Sequence, residues 1–248
     1  MSASTDRAAW LNAGNSKCNL YASFPERPYR MILLGAPGIG KGTQAELLCK
    51  QFKTCHLSTG DVFRNAKNCG GDLTPGMKAA LGYMQRGELV PDETVIDLVR
   101  ERLHCLKCDY GFLLDGFPRT VHQAEELDRM FEEAGLTLDA VLNYELPVDE
   151  VVQRLSGRRT CRGCKTTFHI RSMPPKKEGV CDKCGGELYQ REDDRAESIR
   201  VRLNAYEEST APLKNFYAKT GLLVTISAAG SPDEVFEATI GALQNRVS

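Results

Sequence analysis

Neither sign of charge dominates the 248 residues: 32 Lys and Arg face 33 Asp and Glu, a net charge of −1. No basic stripe interleaved with aromatics runs through the chain, so nothing attracts nucleic acid or an anionic membrane globally. No uninterrupted apolar run approaches the ~20 residues that span a bilayer. The first 28 residues lack the apolar core of a secretory signal and have no periodicity. Histidine is scarce as well. None of His56, His104, His122 and His169 has a neighbour in sequence that would make it a general base, and all four read as packing or surface residues.

What the chain does have is concentrated in residues 30–44. A short apolar run, Met31, Ile32, Leu33 and Leu34, reads as a buried strand, and Ala45, Leu47, Leu48 and Phe52 have helical spacing. Between them lies G-x-x-x-x-G-K, with glycines at 35, 38 and 40 and Lys41. Glycines allow positive φ and close approach of backbone N–H groups to an anion. The positive end of the helix and the lysine charge point to the same place. With strand before and helix after, this is a phosphate-cradling nucleotide loop. Gly42 follows Lys41, so the hydroxyl comes one place later than in the general pattern, at Thr43.

Composition, 42% hydrophobic and 26% charged, is that of a globular domain able to bury one substantial core with a small inserted module. Extended segments are expected at 56–58, 111–115, 140–146 and 222–226. Helices are expected from 59 through 64, 75 to 85, 91 to 103, 121 to 134, 147 to 155, from 196 with a bend at Pro212, and from 232. Residues 68–74 read as turn-rich. Apolar strands alternating with helices indicate a doubly wound parallel α/β sheet, whose ligands sit beyond the carboxyl ends of its strands. Both Gly35 and Asp115 lie there. Asp115 suits magnesium, directly or through water, and Arg119 is a planar fork suited to phosphate.

Cys161, Cys164, Cys181 and Cys184 form C-x₂-C-x₁₆-C-x₂-C, a strong tetrahedral zinc signal that also implies a reducing compartment. Four thiolates leave no open coordination position, so the ion is expected to be structural, supplying folding energy to an insert with few apolar residues. Cys105 and Cys108 make a third, unmatched C-x-x-C and read as packing cysteines.

In order along the chain, the segments 35–44, 58–61 (S-T-G-D), 115–120 with Gln123, 157–159 (G-R-R), and Asp193-Asp194 with Arg200 and Arg202 resemble the adenylate kinase family. The resemblance covers residues 30 to about 247. It implies a P-loop nucleoside monophosphate kinase fold and reversible Mg²⁺-dependent phosphoryl transfer from ATP to AMP, giving two ADP. It further implies that Gly38, Ile39, Gly40, Lys41, Gly42, Thr43, Arg154 and Arg158 bind ATP. Thr59, Arg64, Val90, Gly116, Arg119, Gln123, Arg191 and Arg202 would bind AMP, and Lys41, Arg119, Arg158, Arg191 and Arg202 would act on the transferring group. On this reading residues 29–248 form the kinase domain, with its core at 29–58, 90–156 and 196–248. A helical acceptor-binding insert occupies 59–89 and a mobile zinc-bearing lid 157–195. Residues 1–28 form an extension, a disordered or surface-packed tail. Ser2, Ser4, Arg7, Ser16, Lys17 and Ser23 give it a faint likeness to an organelle transit peptide. A cytoplasmic monomer that binds neither nucleic acid nor membrane is the expectation. Most family members carry lysine where Glu88 stands.

Two alternatives differ in what they require. A uridylate-cytidylate kinase would share the loop, Asp115 and Arg119, but Thr59, Gln123 and the long cysteine-bearing lid favour adenine. A zinc ribbon on a P-loop ATPase could mark a nucleic-acid module, against which the neutral charge counts.

Overall fold

The computed structural model describes residues 8–12, 23, 25–68 and 75–247. Positions 2, 4, 7, 16, 17 and 18 lie outside the described residues, as does the expected turn 68–74 except for Asn68, which continues the preceding helix instead.

Helix α1 (Ala8–Asn12) precedes β1 (Tyr29–Leu34), and the glycine loop leads into α2 (Lys41–Phe52). β2 (Cys55–Ser58) runs directly into α3 (Thr59–Asn68), and α4 (Pro75–Arg86) follows. α5 (Asp92–Arg100) and α6 (Leu103–Leu106) lead to β3 (Gly111–Asp115), then come α7 (Val121–Ala134), β4 (Ala140–Glu145) and α8 (Val148–Gly157). The cysteine insert contains β5 (Arg158–Cys161), β6 (Thr167–His169) and β7 (Leu188–Tyr189). α9 (Ala196–Ala205), α10 (Leu213–Lys219), β8 (Leu223–Ser227) and α11 (Pro232–Val247) follow.

Five strands form one parallel sheet in the order β2-β3-β1-β4-β8. Alternate residues of its strands feed two cores. Ile32, Leu34, Leu57, Phe112, Leu114 and Val141 join one face, while Met31, Leu33, Leu113, Ala140, Leu142 and Tyr144 join the other. Burial on both faces accounts for the near-continuous apolar runs. Register places Asp115 opposite both Ser58 and Leu33, so three strands deliver their carboxyl ends to one edge.

Local details depart from the expected boundaries for identifiable reasons. The helix expected from 91 to 103 is two helices, because Arg102 turns inward and donates from its guanidinium to the carbonyls of Trp10 and Leu98. The helix expected from 196 passes from α9 into a π-helical segment at Tyr206–Thr210, and at Pro212, where a bend is expected, it is interrupted: Pro212 caps the separate helix α10, where its missing N–H costs nothing. The cysteine stretch holds a small antiparallel sheet, β6-β5-β7, over a cluster of only Cys161, Phe168, Cys181 and Leu188. Two of those four are cysteines, so apolar burial alone is a meagre source of stability there. No helix among the described residues is long and apolar enough to cross a membrane.

Candidate functional site

The loop between β1 and α2 is built from positive-φ glycines: Gly35 at 133°, Gly38 at 81° and Gly40 at 107°. At Gly38 space adds to the demand, since a Cβ would lie 2.4 Å from the Leu155 side chain. Gly40 caps α2, whose first turn (Lys41, Gly42, Thr43) presents its N–H groups at the head of the helix. Lys41 folds back so that its Nζ donates to the carbonyls of Gly35 (2.7 Å) and Ala36 (2.9 Å). Burial, reinforced by Arg119, Arg202 and Arg158 against the pull of Asp115, lowers the Lys41 ammonium to about 8. Arg154 donates to the carbonyls of Ile39 (3.3 Å) and Ala228 (3.1 Å), bridging the loop to the end of β8.

Asp115 ends β3 beside this loop. Burial opposes its charged form, but the His56 imidazole at 3.3 Å and the Lys41 charge hold its carboxyl below the ordinary value. His56 is therefore a neighbour of the site rather than mere packing. Nothing in sequence links it to Asp115; only the pairing of β2 with β3 does.

A cavity beside the loop is lined by Thr59, Arg64, Val90, Gly116, Arg119, Gln123 and Arg202, all assigned to the AMP side by resemblance. Phe63, Met84, Val95, Glu88 and Asp193 complete much of its wall. The apolar residues among these give the cavity a face suited to a flat ring, which the motifs alone did not reveal. Arg191 is not in that wall; its Nε donates to Thr160 Oγ1 at 3.1 Å. Glu88 is drawn to Arg86 at 2.6 Å on the exposed rim.

The hydrogen bonds around Arg119 and Gln123 form a continuous brace. Thr120 Oγ1 accepts from the Gln123 N–H (3.1 Å) and donates to Asp92 (2.7 Å). Gln123 accepts the Arg119 backbone N–H at 2.7 Å and donates to Asp92 at 2.7 Å. The Arg119 guanidinium donates to the Gly116 carbonyl at 3.0 Å. On the far side, Asp194, whose side chain is fully buried, takes both arms of Arg158 (2.7 and 2.5 Å) and shares Arg202 with Asp193.

Six cations thus crowd one region. Burial and neighbouring arginines push Arg119 and Arg202 below the usual arginine value, and Arg191 to about 9. Burial is the larger cause and repulsion between the arginines the smaller one, and a bound anion would offset both.

In the cysteine insert, the sulfurs of Cys161, Cys164, Cys181 and Cys184 all lie within 4.8 Å of one another. Cys161 and Cys184 stand 3.4 Å apart, and Cys164 and Cys181 3.5 Å apart. A tetrahedral ion with Zn–S of about 2.3 Å requires sulfur separations near 3.8 Å, so the donor set fits. Gly186 keeps the approach open, since a Cβ there would sit 3.0 Å from Cys161 Sγ. Of the third cysteine pair, Cys105 is buried beside His104, while the partner of Cys108 is Cys55, whose hydrogen bond lowers the Cys108 thiol to about 6.

Residues 33–222 match the family model described as adenylate kinase. An adenylate kinase from Carboxydothermus hydrogenoformans is 55% identical over 216 residues, covering 87% of this chain and 99% of the relative. Those from Thermodesulfovibrio yellowstonii and Streptomyces coelicolor are 48% and 50% identical, over 88% and 87% of this chain and 100% and 98% of theirs. With the loop geometry, the cationic cavity and the parallel sheet in agreement, the chain belongs to the adenylate kinase family.

Proposed function

We propose that this chain transfers the terminal phosphoryl group of ATP reversibly to AMP, giving two ADP. The observation that carries this reading is a single cationic region in which the glycine loop with Lys41 adjoins the cavity lined by Arg64 and Arg119. Gly38, Ile39, Gly40, Lys41, Gly42 and Thr43 hold the ATP phosphates through backbone N–H groups and the lysine charge, with Arg154 and Arg158 closing from the other side. Thr59, Val90, Gly116 and Gln123 seat AMP, while Arg64, Arg119, Arg191 and Arg202 bind its phosphate and the group in flight.

A phosphate oxygen of AMP is already an anionic nucleophile, so no general base is needed. Charge neutralisation and in-line placement are the whole task, and Lys41 with the arginines performs them. Magnesium, when bound with ATP, supplies further neutralisation of phosphate charge, and the ionised carboxyl of Asp115 is the residue suited to hold it, through water. Water must be excluded or ATP would be hydrolysed. Residues 157–195 serve as the closing lid, residues 59–89 as the acceptor insert, and the four cysteines hold a structural zinc ion in the lid. The chain is read as a cytoplasmic monomer.

A coupled assay of ADP formation from ATP plus AMP, CMP, UMP or GMP, with metal analysis of the same sample, tests the reading. Turnover selective for AMP, with about one zinc per chain, is expected. Absence of ADP formation with AMP at saturating substrates and magnesium would refute it.

A further inference from the structure

Residues before 33 lie outside the family match, yet one of them is among the most deeply buried in the protein. Trp10 has 0% exposure and belongs to the same core as Val62 and Phe63 of α3 and Val95 and Val99 of α5. It is also hydrogen-bonded at both ends. Its indole N–H donates to the Ser58 carbonyl at 3.0 Å, and its own carbonyl accepts from Arg102 Nε at 2.7 Å. Arg102 is only 6% exposed and is itself tied to the Leu98 carbonyl at 3.0 Å. A buried guanidinium that satisfies the Trp10 carbonyl and a buried indole that satisfies the Ser58 carbonyl together form a fixed joint.

The joint ends at the root of the acceptor cavity. Ser58 is the last residue of β2, and its hydroxyl accepts from the Asp61 N–H at 3.3 Å, at the start of α3. The next residue, Thr59, lines the cavity and donates to the Gly116 carbonyl at 3.0 Å. Arg64, one turn along α3, faces the same cavity. Core and insert are thus linked in a short series: Arg102, Trp10, Ser58, Thr59.

We propose that α1 is a clasp on the acceptor insert and that Trp10 is a positioning residue, which fixes the Ser58 carbonyl and so the placement of Thr59 and Arg64. This rests on the reading that the cavity takes AMP. The clasp holds the peptide that enters α3 in one orientation before the nucleotide arrives, so its loss weakens the acceptor and leaves the glycine-loop side untouched.

Trp10→Phe keeps an aromatic ring in the core but removes the N–H donor together with part of the indole's volume. The expected result is a rise of about fivefold or more in KM for AMP, with KM for ATP and kcat within about twofold. An unchanged KM for AMP in the folded variant, or equal rises for both nucleotides, overturns the proposal, because a merely structural contact would loosen both sites alike. Should the variant not fold, the wild type is its own probe, since Trp10 is the only tryptophan in the chain. Because the joint is set before the nucleotide arrives, its emission is expected to stay unchanged as AMP is titrated through KM, as it does with Mg-ATP. A saturable change with AMP would show that the joint yields on binding and would overturn the clasp. A wild type that forms no ADP from AMP would instead remove the reading of the cavity beneath it.

Discussion

Lys41 shows what a single charge does in this setting. Its ammonium rests on two loop carbonyls and is lowered to about 8 by burial and by the arginines around it. The charged form is the one proposed to hold phosphate, and it is lost as pH rises through that value. For ATP, kcat/KM, which reports the free enzyme, is therefore expected to fall above about pH 8. The alkaline limb of kcat should lie higher, because bound phosphates favour the ammonium. A pH profile with no alkaline limb below the ordinary lysine range would contradict this. Lys41→Met should lower kcat by roughly 10²- to 10³-fold with little change in melting temperature. Arg119, proposed to act from the acceptor side, is braced by Gly116 and Gln123. Arg119→Ala should cut kcat/KM for AMP far more than it weakens ATP binding by titration; selective loss of ATP affinity would reverse the assignment of the two sides.

At the scale of elements, the cysteine insert and the loop differ in where their order comes from. The three-stranded sheet of the insert covers only four buried apolar or thiol side chains, so the zinc ion proposed for its cysteines would supply most of its stability. Cys161→Ser is expected to lower both zinc content and the melting temperature, by several degrees, while activity at room temperature falls less than either. Full metal content in the variant would sink the structural assignment. Much of this architecture was legible because it is local: glycine spacing, C-x₂-C pairs and short apolar runs are written in neighbouring residues. Helix α7 was legible end to end, from the Thr120 cap to the left-handed Gly135. Contacts between distant segments were not. Trp10 stands in an aperiodic stretch with no pattern to mark it as core, and the break at Arg102 follows from that same contact, 92 residues away. The link between His56 and Asp115 depends on strand order, which periodicity does not encode.

The molecule as a whole carries a net charge of −1, yet its cations are unevenly spread. Lys41, Arg64, Arg119, Arg158, Arg191 and Arg202 converge on the proposed nucleotide crevice, where Asp61, Asp115, Asp193 and Asp194 offset only part of their charge. The two possible controls of nucleotide capture predict opposite signs. If overall charge governed approach, anionic ATP and AMP would be weakly repelled, and added salt would raise kcat/KM. If the crevice governs, field lines focused between low-dielectric walls attract the nucleotides, and salt screens that attraction. The Debye length shrinks from about 30 Å at 0.01 M to about 8 Å at 0.15 M ionic strength, so the field reaches far less into solution at the higher salt. We therefore expect kcat/KM for both nucleotides to fall across that range at constant free magnesium. The melting temperature should move little, because the exposed ion pairs contribute little to stability. A flat or rising kcat/KM would show that the cluster acts only on nucleotide already bound, and that its uneven distribution has no part in capture.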